Sequence, residues 1–167
     1  MSYAKLRNDL LAARDTRQAL LAAHFNRTSG ALIQVGLNLP GPNKHPQGSE
    51  ALFMAILDEL YGSCSEFVLL HPGEDALGPW ALLWGAGDAT VIKSLAVRVE
   101  ESRPWGRLAD IDVYDQQGHA VSRDSCDLAP RQCLVCPEPA FDCMRLQRHT
   151  LTELETKVDE LLAAFRA

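Results

Sequence analysis

The segment Gly106–Tyr114 (GRLADIDVY) alternates charge and apolarity with period two, and it restricts the fold of this chain more than any other stretch. As a strand it projects Asp110 and Asp112 from one face and Ile111 and Val113 from the other. The sheet that holds it therefore has one face built for a core and one that carries two like charges a few ångströms apart. Their repulsion disfavours burial unless a cation sits between them, and a hard divalent ion such as Mg²⁺ accepts such an oxygen pair readily. The competing reading is a solvated sheet face with no ion.

The rest of the chain supplies elements to surround that strand. Leu6, Leu10, Ala13, Leu20 and Leu21 recur near helical spacing between Tyr3 and Phe25, with charged residues on the other faces. Asn26–Gly30 reads as a turn and Ala31–Leu39 as a buried strand ending at Pro40-Gly41-Pro42. A loop, PGPNKHPQGS, then leads into a helix over Glu50–Tyr61, capped by Ser49 and closed by Gly62. Phe67–His71 and Pro79–Gly85 are short apolar runs that suit strands. Asp88 caps a helix in which Ile92, Leu95, Ala96 and Val99 follow i, i+3, i+4, i+7, and Pro104 stops it. After Gly106–Tyr114, the turn residues Gln116-Gln117-Gly118 predict a hairpin whose returning strand is His119–Ser122. A last helix runs from Thr150 to Phe165, its start marked by the capping-box pair Thr150 and Glu153.

This order predicts an α+β fold, helices packed on a mixed or antiparallel sheet. With 167 residues the chain has the length of one domain, 1–167, in which 127–149 is a small Cys-rich satellite and 150–166 a C-terminal helix. At 47% hydrophobic and 23% charged residues it falls outside the disordered and fibrous classes. No apolar run reaches the roughly 18 residues of a membrane span, and the charged start MSYAKLRNDLLAARD lacks the apolar core of a secretory signal, so a cytoplasmic protein is expected. The net charge of −6 argues against nucleic acid as a partner while leaving room for local cationic clusters that grip a phosphorylated small molecule.

The five cysteines are an odd count, which no complete set of internal disulfides accommodates. Cys133, Cys136 and Cys143 with His149 bring four soft or borderline ligands into a segment too poor in large apolar side chains to hold itself together. A structural Zn²⁺ would do so; free thiols beside a helix-entry histidine are the alternative, since the spacing to the last two ligands is not a standard zinc-finger pattern. Cys64 and Cys126 read as packing residues.

Cationic side chains stand where a phosphate-bearing ligand would need them. Arg107 precedes the paired aspartates, and Arg123 and Arg131 lie in the segment that returns past them; the planar guanidinium fork suits phosphate oxygens, although surface ion pairing is the common fate of a single arginine. In Pro40-Gly41-Pro42-Asn43-Lys44, Gly41 permits close backbone approach and Lys44 can reach a phosphate, but the Walker spacing is absent.

Several of these motifs together resemble a known family. Pro104-Trp-Gly-Arg-Leu-Ala-Asp-Ile-Asp-Val113, Ser122-Arg123, Pro130-Arg131, Cys133-Leu-Val-Cys136, Cys143 and His149, with Arg14-Asp15-Thr16-Arg17-Gln18 and Pro40-Gly41-Pro42-Asn43-Lys44, are similar to apo-citrate lyase phosphoribosyl-dephospho-CoA transferases, also called holo-citrate lyase acyl-carrier synthases. The resemblance implies an enzyme with a nucleotidyltransferase-like logic. Its donor would be 2′-(5″-triphosphoribosyl)-3′-dephospho-CoA, its acceptor a serine of the citrate lyase acyl-carrier subunit, and its leaving group pyrophosphate. Asp110 and Asp112 would be the catalytic pair holding Mg²⁺, and Gly41, Lys44, Arg107, Arg123, Arg14 and Arg17 would bind the donor, the last two on the resemblance alone. A third carboxylate from Asp88, Asp115, Asp124 or Asp127 is not singled out, nor is the general base, nor the preference between citrate lyase and malonate decarboxylase carriers. A zinc-stabilised scaffold without catalysis and a nucleotidyltransferase with another donor are the alternatives. Loss of transfer on replacing the aspartates separates the enzyme from the scaffold.

Overall fold

The computed structural model describes residues 3–25, 29–64 and 66–166. The first three residues of the expected Asn26–Gly30 turn lie outside them. Along the chain come α1 (Tyr3–His24), β1 (Ala31–Leu37), α2 (Ser49–Ser63), β2 (Phe67–Asp75), β3 (Gly78–Gly85), α3 (Ala89–Ser102), a 3₁₀ turn at Pro104–Leu108, β4 (Ala109–Tyr114), a second 3₁₀ turn at Asp124–Cys126, α4 (Ala140–Arg145) and α5 (Leu151–Arg166). The four strands form one antiparallel sheet in the order β2-β3-β1-β4. The expected α+β architecture is therefore realised in its antiparallel form.

Period two in the strands assigns the two faces. Ile33 and Val35 of β1, Ala81 and Leu83 of β3, and Ile111 and Val113 of β4 are buried on one face under Leu52, Ile56 and Leu60 of α2, Ile92, Ala96 and Val99 of α3, and Val158 and Leu162 of α5. The opposite face holds a smaller core, in which Leu21 of α1 meets Leu32, Trp80 and Leu82. Along β1 that second face continues as Gln34 and Gly36, whose register partners on β4 are Asp112 and Asp110. One half of the face is thus apolar and lidded by α1, and the other half is polar.

The outward edge of β4 has its backbone groups bonded by side chains. The Ile111 N–H donates to Glu100 Oε1 (3.1 Å), the Ile111 carbonyl accepts from Lys93 Nζ (2.8 Å), and the Ala109 carbonyl accepts from Arg131 Nη2 (2.6 Å). Lys93 and Glu100 stand two helical turns apart on α3, so one helix face delivers both charges to one strand. Both are buried.

Local signals were mostly realised. Asp88 caps α3 through the N–H groups of Thr90 (2.7 Å) and Val91 (3.4 Å), and Thr150 and Glu153 exchange the reciprocal bonds of a capping box at α5. Several details differ, and β1 ends at Leu37, two residues short of the expected Leu39. The N-cap of α2 is Gly48 at φ 94, with Ser49 buried as the first helical residue, and the helix passes Gly62 to end at Ser63. The two apolar runs after it extend into one hairpin, Phe67–Asp75 with Gly78–Gly85; Pro72 is accommodated because β2 is an edge strand. The strand expected from Gly106 begins at Ala109, because Pro104 starts a 3₁₀ turn that presses Gly106 onto the Val99 carbonyl, where an added Cβ would come within 2.8 Å. The Gln116–Gly118 turn forms, but the returning strand shrinks to a single bridge, Tyr114 to Ala120, since Arg123 draws the chain away to Glu100 and Glu101.

Candidate active site and metal centre

The polar half of the second sheet face is the floor of a cavity of about 370 Å³ lined by Asp110, Asp112, Gln34, Gly36, Arg14, Arg17, Gln18, Asn38 and Lys44, with Leu37, Leu39 and Leu77. Four elements converge there: β4 and β1 supply the floor, α1 supplies Arg14 and Arg17 along one wall, and the loop after β1 supplies Lys44. Asp110 is exposed and Asp112 half-buried. Burial, and then the charge of Asp110, hold the Asp112 carboxyl above the usual carboxylate range. Burial, with Asp112 and Asp110 behind it, pushes the Tyr114 phenol up to about 12. At both groups burial leads, and to this is added the negative charge of the aspartate pair. A hard divalent cation would relieve it, and the donor set here, two carboxylates with the amide oxygens of Gln34 and Asn38 nearby, is of the all-oxygen kind such ions take.

The cations around the floor are held in place. Arg17 is buried; its Nε and Nη2 grip Asp75 in a two-pronged pair at 2.8 and 2.7 Å, Nη2 also donates to the Gly78 carbonyl, and the guanidinium lies 5.1 Å from the centre of the Trp80 ring. Its Nη1 stands over Gly36, 3.5 Å from where a Cβ would be. Lys44 donates to the Leu39 carbonyl, and burial lowers its pKa. Gln34 and Asn38 had no signal in the sequence beyond being polar residues in and just after an apolar strand.

Arg107 and Arg123 are elsewhere. They line a second cavity, about 490 Å³, on the far side of the β4 edge, where Arg107 donates to the Cys133 carbonyl and Arg123 is clamped by Glu100 (2.5 Å) and Glu101 (2.6 Å). Arg131 bridges the two regions, with Nη1 3.3 Å from Asp110 and 3.5 Å from Glu100. Gly41, at φ 88, lets the loop approach α5, where a Cβ would meet Glu155 Oε1 at 2.5 Å, and it does not line the aspartate cavity. None of Asp88, Asp115, Asp124 and Asp127 lines it either; Asp88 and Asp115 accept backbone N–H bonds in their own turns.

The cysteine segment folds into a compact unit. A short hairpin, closed by a bridge between Gln132 and Pro139 and a bond from the Cys133 N–H to the Glu138 carbonyl, carries Cys133 and Cys136. Cys143 comes from α4 and His149 from the approach to α5. Cys136 Sγ lies 3.4 Å from Cys143 Sγ and 3.2 Å from His149 Nε2, and the four ligand atoms are all within 4.8 Å of one another. Four ligands around a tetrahedral ion with bonds of about 2.0–2.3 Å are spaced similarly. Burial works against a Cys133 thiolate, but the N–H groups of Val135 and Cys136 and the neighbouring thiols outweigh it, and its pKa is lowered. Burial, then Cys136 and Cys133, push the Cys143 thiol up to about 12. Three sulfurs this close, one favoured as thiolate and one opposed by the others, form a cluster able to hold a metal such as zinc.

Paired carboxylates on a sheet floor, ringed by arginines and a lysine, with a Cys₃His unit beside them, define a site suited to anionic, phosphate-bearing ligands. The sequence profile of the family described as apo-citrate lyase phosphoribosyl-dephospho-CoA transferase matches residues 6–165. Curated proteins of that name from Escherichia coli O1:K1 and Shigella boydii serotype 18 are 33% and 32% identical over 158 residues, covering 92% of this chain and 86% of theirs. The chain belongs to the apo-citrate lyase phosphoribosyl-dephospho-CoA transferase family. Among the described residues no helix is long and apolar enough to cross a membrane.

Proposed function

We propose that this protein transfers the phosphoribosyl-dephospho-CoA group from 2′-(5″-triphosphoribosyl)-3′-dephospho-CoA to a serine of the citrate lyase acyl-carrier subunit, with release of pyrophosphate. The observation that carries the reading is the meeting of Asp110, Asp112, Arg14, Arg17 and Lys44 in one cavity. The serine oxygen bonds to the α-phosphorus, the anhydride bond to the β-phosphate breaks, and the serine proton passes to the carboxylate pair, whose members are the only acids lining the cavity among the described residues. Asp110 and Asp112 would hold Mg²⁺, which when bound supplies neutralisation of phosphate charge. Arg14 and Lys44 face the triphosphate oxygens, while Arg17, fixed by Asp75, sets the wall against which they rest. Positioning and electrostatics account for most of the rate. Arg107 and Arg123, read from sequence as donor ligands, act in this reading on the second cavity. Incubating the protein with the donor and apo-carrier should add one prosthetic group to the carrier by intact-mass spectrometry; an unchanged carrier mass with authentic donor overturns the proposal.

The same reading takes the chain as one transferase unit, with 127–149 as its satellite, working in the cytoplasm, where five unpaired thiols are stable. It places Zn²⁺ on Cys133, Cys136, Cys143 and His149. Protein purified without chelator is expected to carry close to one equivalent of zinc by elemental analysis, and Cys143→Ser to carry less than about a tenth. Zinc-free wild-type protein with an unchanged melting temperature would remove the metal from this account.

A further inference from the structure

An apolar groove of about 650 Å³ runs beside the aspartate cavity, and the proposed function leaves it without an occupant. Its walls are Pro40 of the loop after β1, Leu134 of the cysteine hairpin, Met144 of α4, and Leu151 and Leu154 of α5. Gln132, Gln147 and Arg148 add polar groups around this surface. Met144 is 71% exposed and Leu151 48%, although both are large and apolar, so their surface awaits a partner.

One residue joins this groove to the site already described. Asn38 lines both spaces, and its backbone is fixed by a 2.8 Å bond from its N–H to the Leu108 carbonyl. A ligand that continues out of the aspartate cavity past Asn38 therefore enters the groove. The aspartate cavity, at about 370 Å³, is near the lower end of the roughly 300–1,000 Å³ that encloses a drug-sized ligand. It has room for a polyphosphate and its sugar, and the remainder of a donor of this class must lie outside it.

We propose that the groove binds the dephospho-CoA body of the donor, its adenine and amide-rich arm against Leu134, Met144, Leu151 and Leu154, with Arg148 near its diphosphate. The inference rests on the proposed function for the identity of the ligand and on the continuity through Asn38 for its location. Among the described residues the ion pair that competes for Arg148 is a loose one, 3.8 Å to Glu138. A small molecule suits the space better than a protein partner, because the surface is concave and mixes apolar walls with single hydrogen-bonding groups. Cys133, Cys143 and His149 also line it, so the Cys₃His unit forms its back wall.

The test uses the full chain, calorimetric titration, and two probes: 3′-dephospho-CoA, which lacks the triphosphate, and inorganic tripolyphosphate with Mg²⁺. Met144→Glu combined with Leu151→Glu changes exposed side chains only, and should weaken 3′-dephospho-CoA at least about tenfold while leaving tripolyphosphate binding unchanged. Asp110→Asn with Asp112→Asn should do the reverse. The proposal is overturned by unchanged 3′-dephospho-CoA affinity in the groove variant, by no measurable binding to the wild type, or by a raised KM for the carrier with donor-body binding intact, which would make the groove a carrier dock. Groove-dependent binding of 3′-dephospho-CoA in a protein that modifies no carrier supports the site while removing the transferase reading.

Discussion

Asp112→Asn is expected to lower the rate of carrier modification by about three orders of magnitude and to leave the melting temperature equal to or above that of the wild type. The side chain keeps its shape and one acceptor oxygen, so packing on the cavity floor is retained. What disappears is a charge that burial and Asp110 already oppose. A folded state that raises a carboxyl pKa is destabilised by ionising it at neutral pH, so neutralisation costs the fold nothing. In the proposed reaction the same charge would hold Mg²⁺ against the phosphates of the donor. Asp110→Asn should show the loss of activity with a smaller gain in stability, because Asp110 is exposed and has Arg131 at 3.3 Å. The check is paired: intact-mass kinetics on the carrier and a thermal melt on the same preparations. Undiminished transfer by either variant would rule out the carboxylate pair as the reacting centre.

Glu100→Ala should act in the opposite sense, on the fold first, lowering stability by about 3–5 kcal/mol. Glu100 is 4% exposed and holds three groups at once: the Ile111 N–H, Arg123 and Arg131. Its removal strands a backbone donor and leaves two guanidinium groups without their shared counter-charge. Arg131 also bonds the carbonyls of Arg107 and Ala109, so the 3₁₀ turn and the start of β4 loosen together. Chemical denaturation gives the stability change directly. Glu100→Gln, which keeps an acceptor for Ile111 but not the charge, should fall between the two; an alanine variant within about 1 kcal/mol of wild type would mean the network is ornamental.

The sequence displayed what depends on periodicity and on local bonding. The apolar spacing of α1, α3 and α5, the cap at Asp88, the box at Thr150 and the common face of Asp110 and Asp112 are all consequences of residues within a few positions of one another. The grouping of Cys133, Cys136, Cys143 and His149 was equally near at hand, since a short hairpin and one turn of helix suffice to fold it. Partners chosen by topology were not legible. Lys93 and Glu100 look like ordinary solvated charges on an amphipathic helix, yet both turn inward because β4 lies at a sheet edge with backbone groups to satisfy. Arg107 and Arg123 sit near the aspartates in sequence, but their pairing with the Cys133 carbonyl and with Glu100 and Glu101 takes them to another surface. Gln34 and Asn38 join the site only through strand register and the course of one loop, neither of which a neutral polar side chain announces.

The side chains that occupy the rim of β4 bear on how this molecule can meet a protein substrate. With Lys93, Glu100 and Arg131 seated on the outward groups of Ala109 and Ile111, the first half of that rim is taken up before an extended peptide can reach it. The other rim carries Pro72 and the register shift between Leu69 and His71, which interrupt the regular ladder a new strand would copy. Both edges of the sheet thus disfavour lengthening. Under the proposed function a carrier would bring its serine in from above the floor, as a projecting loop or helix end, and the same construction disfavours self-association by strand addition.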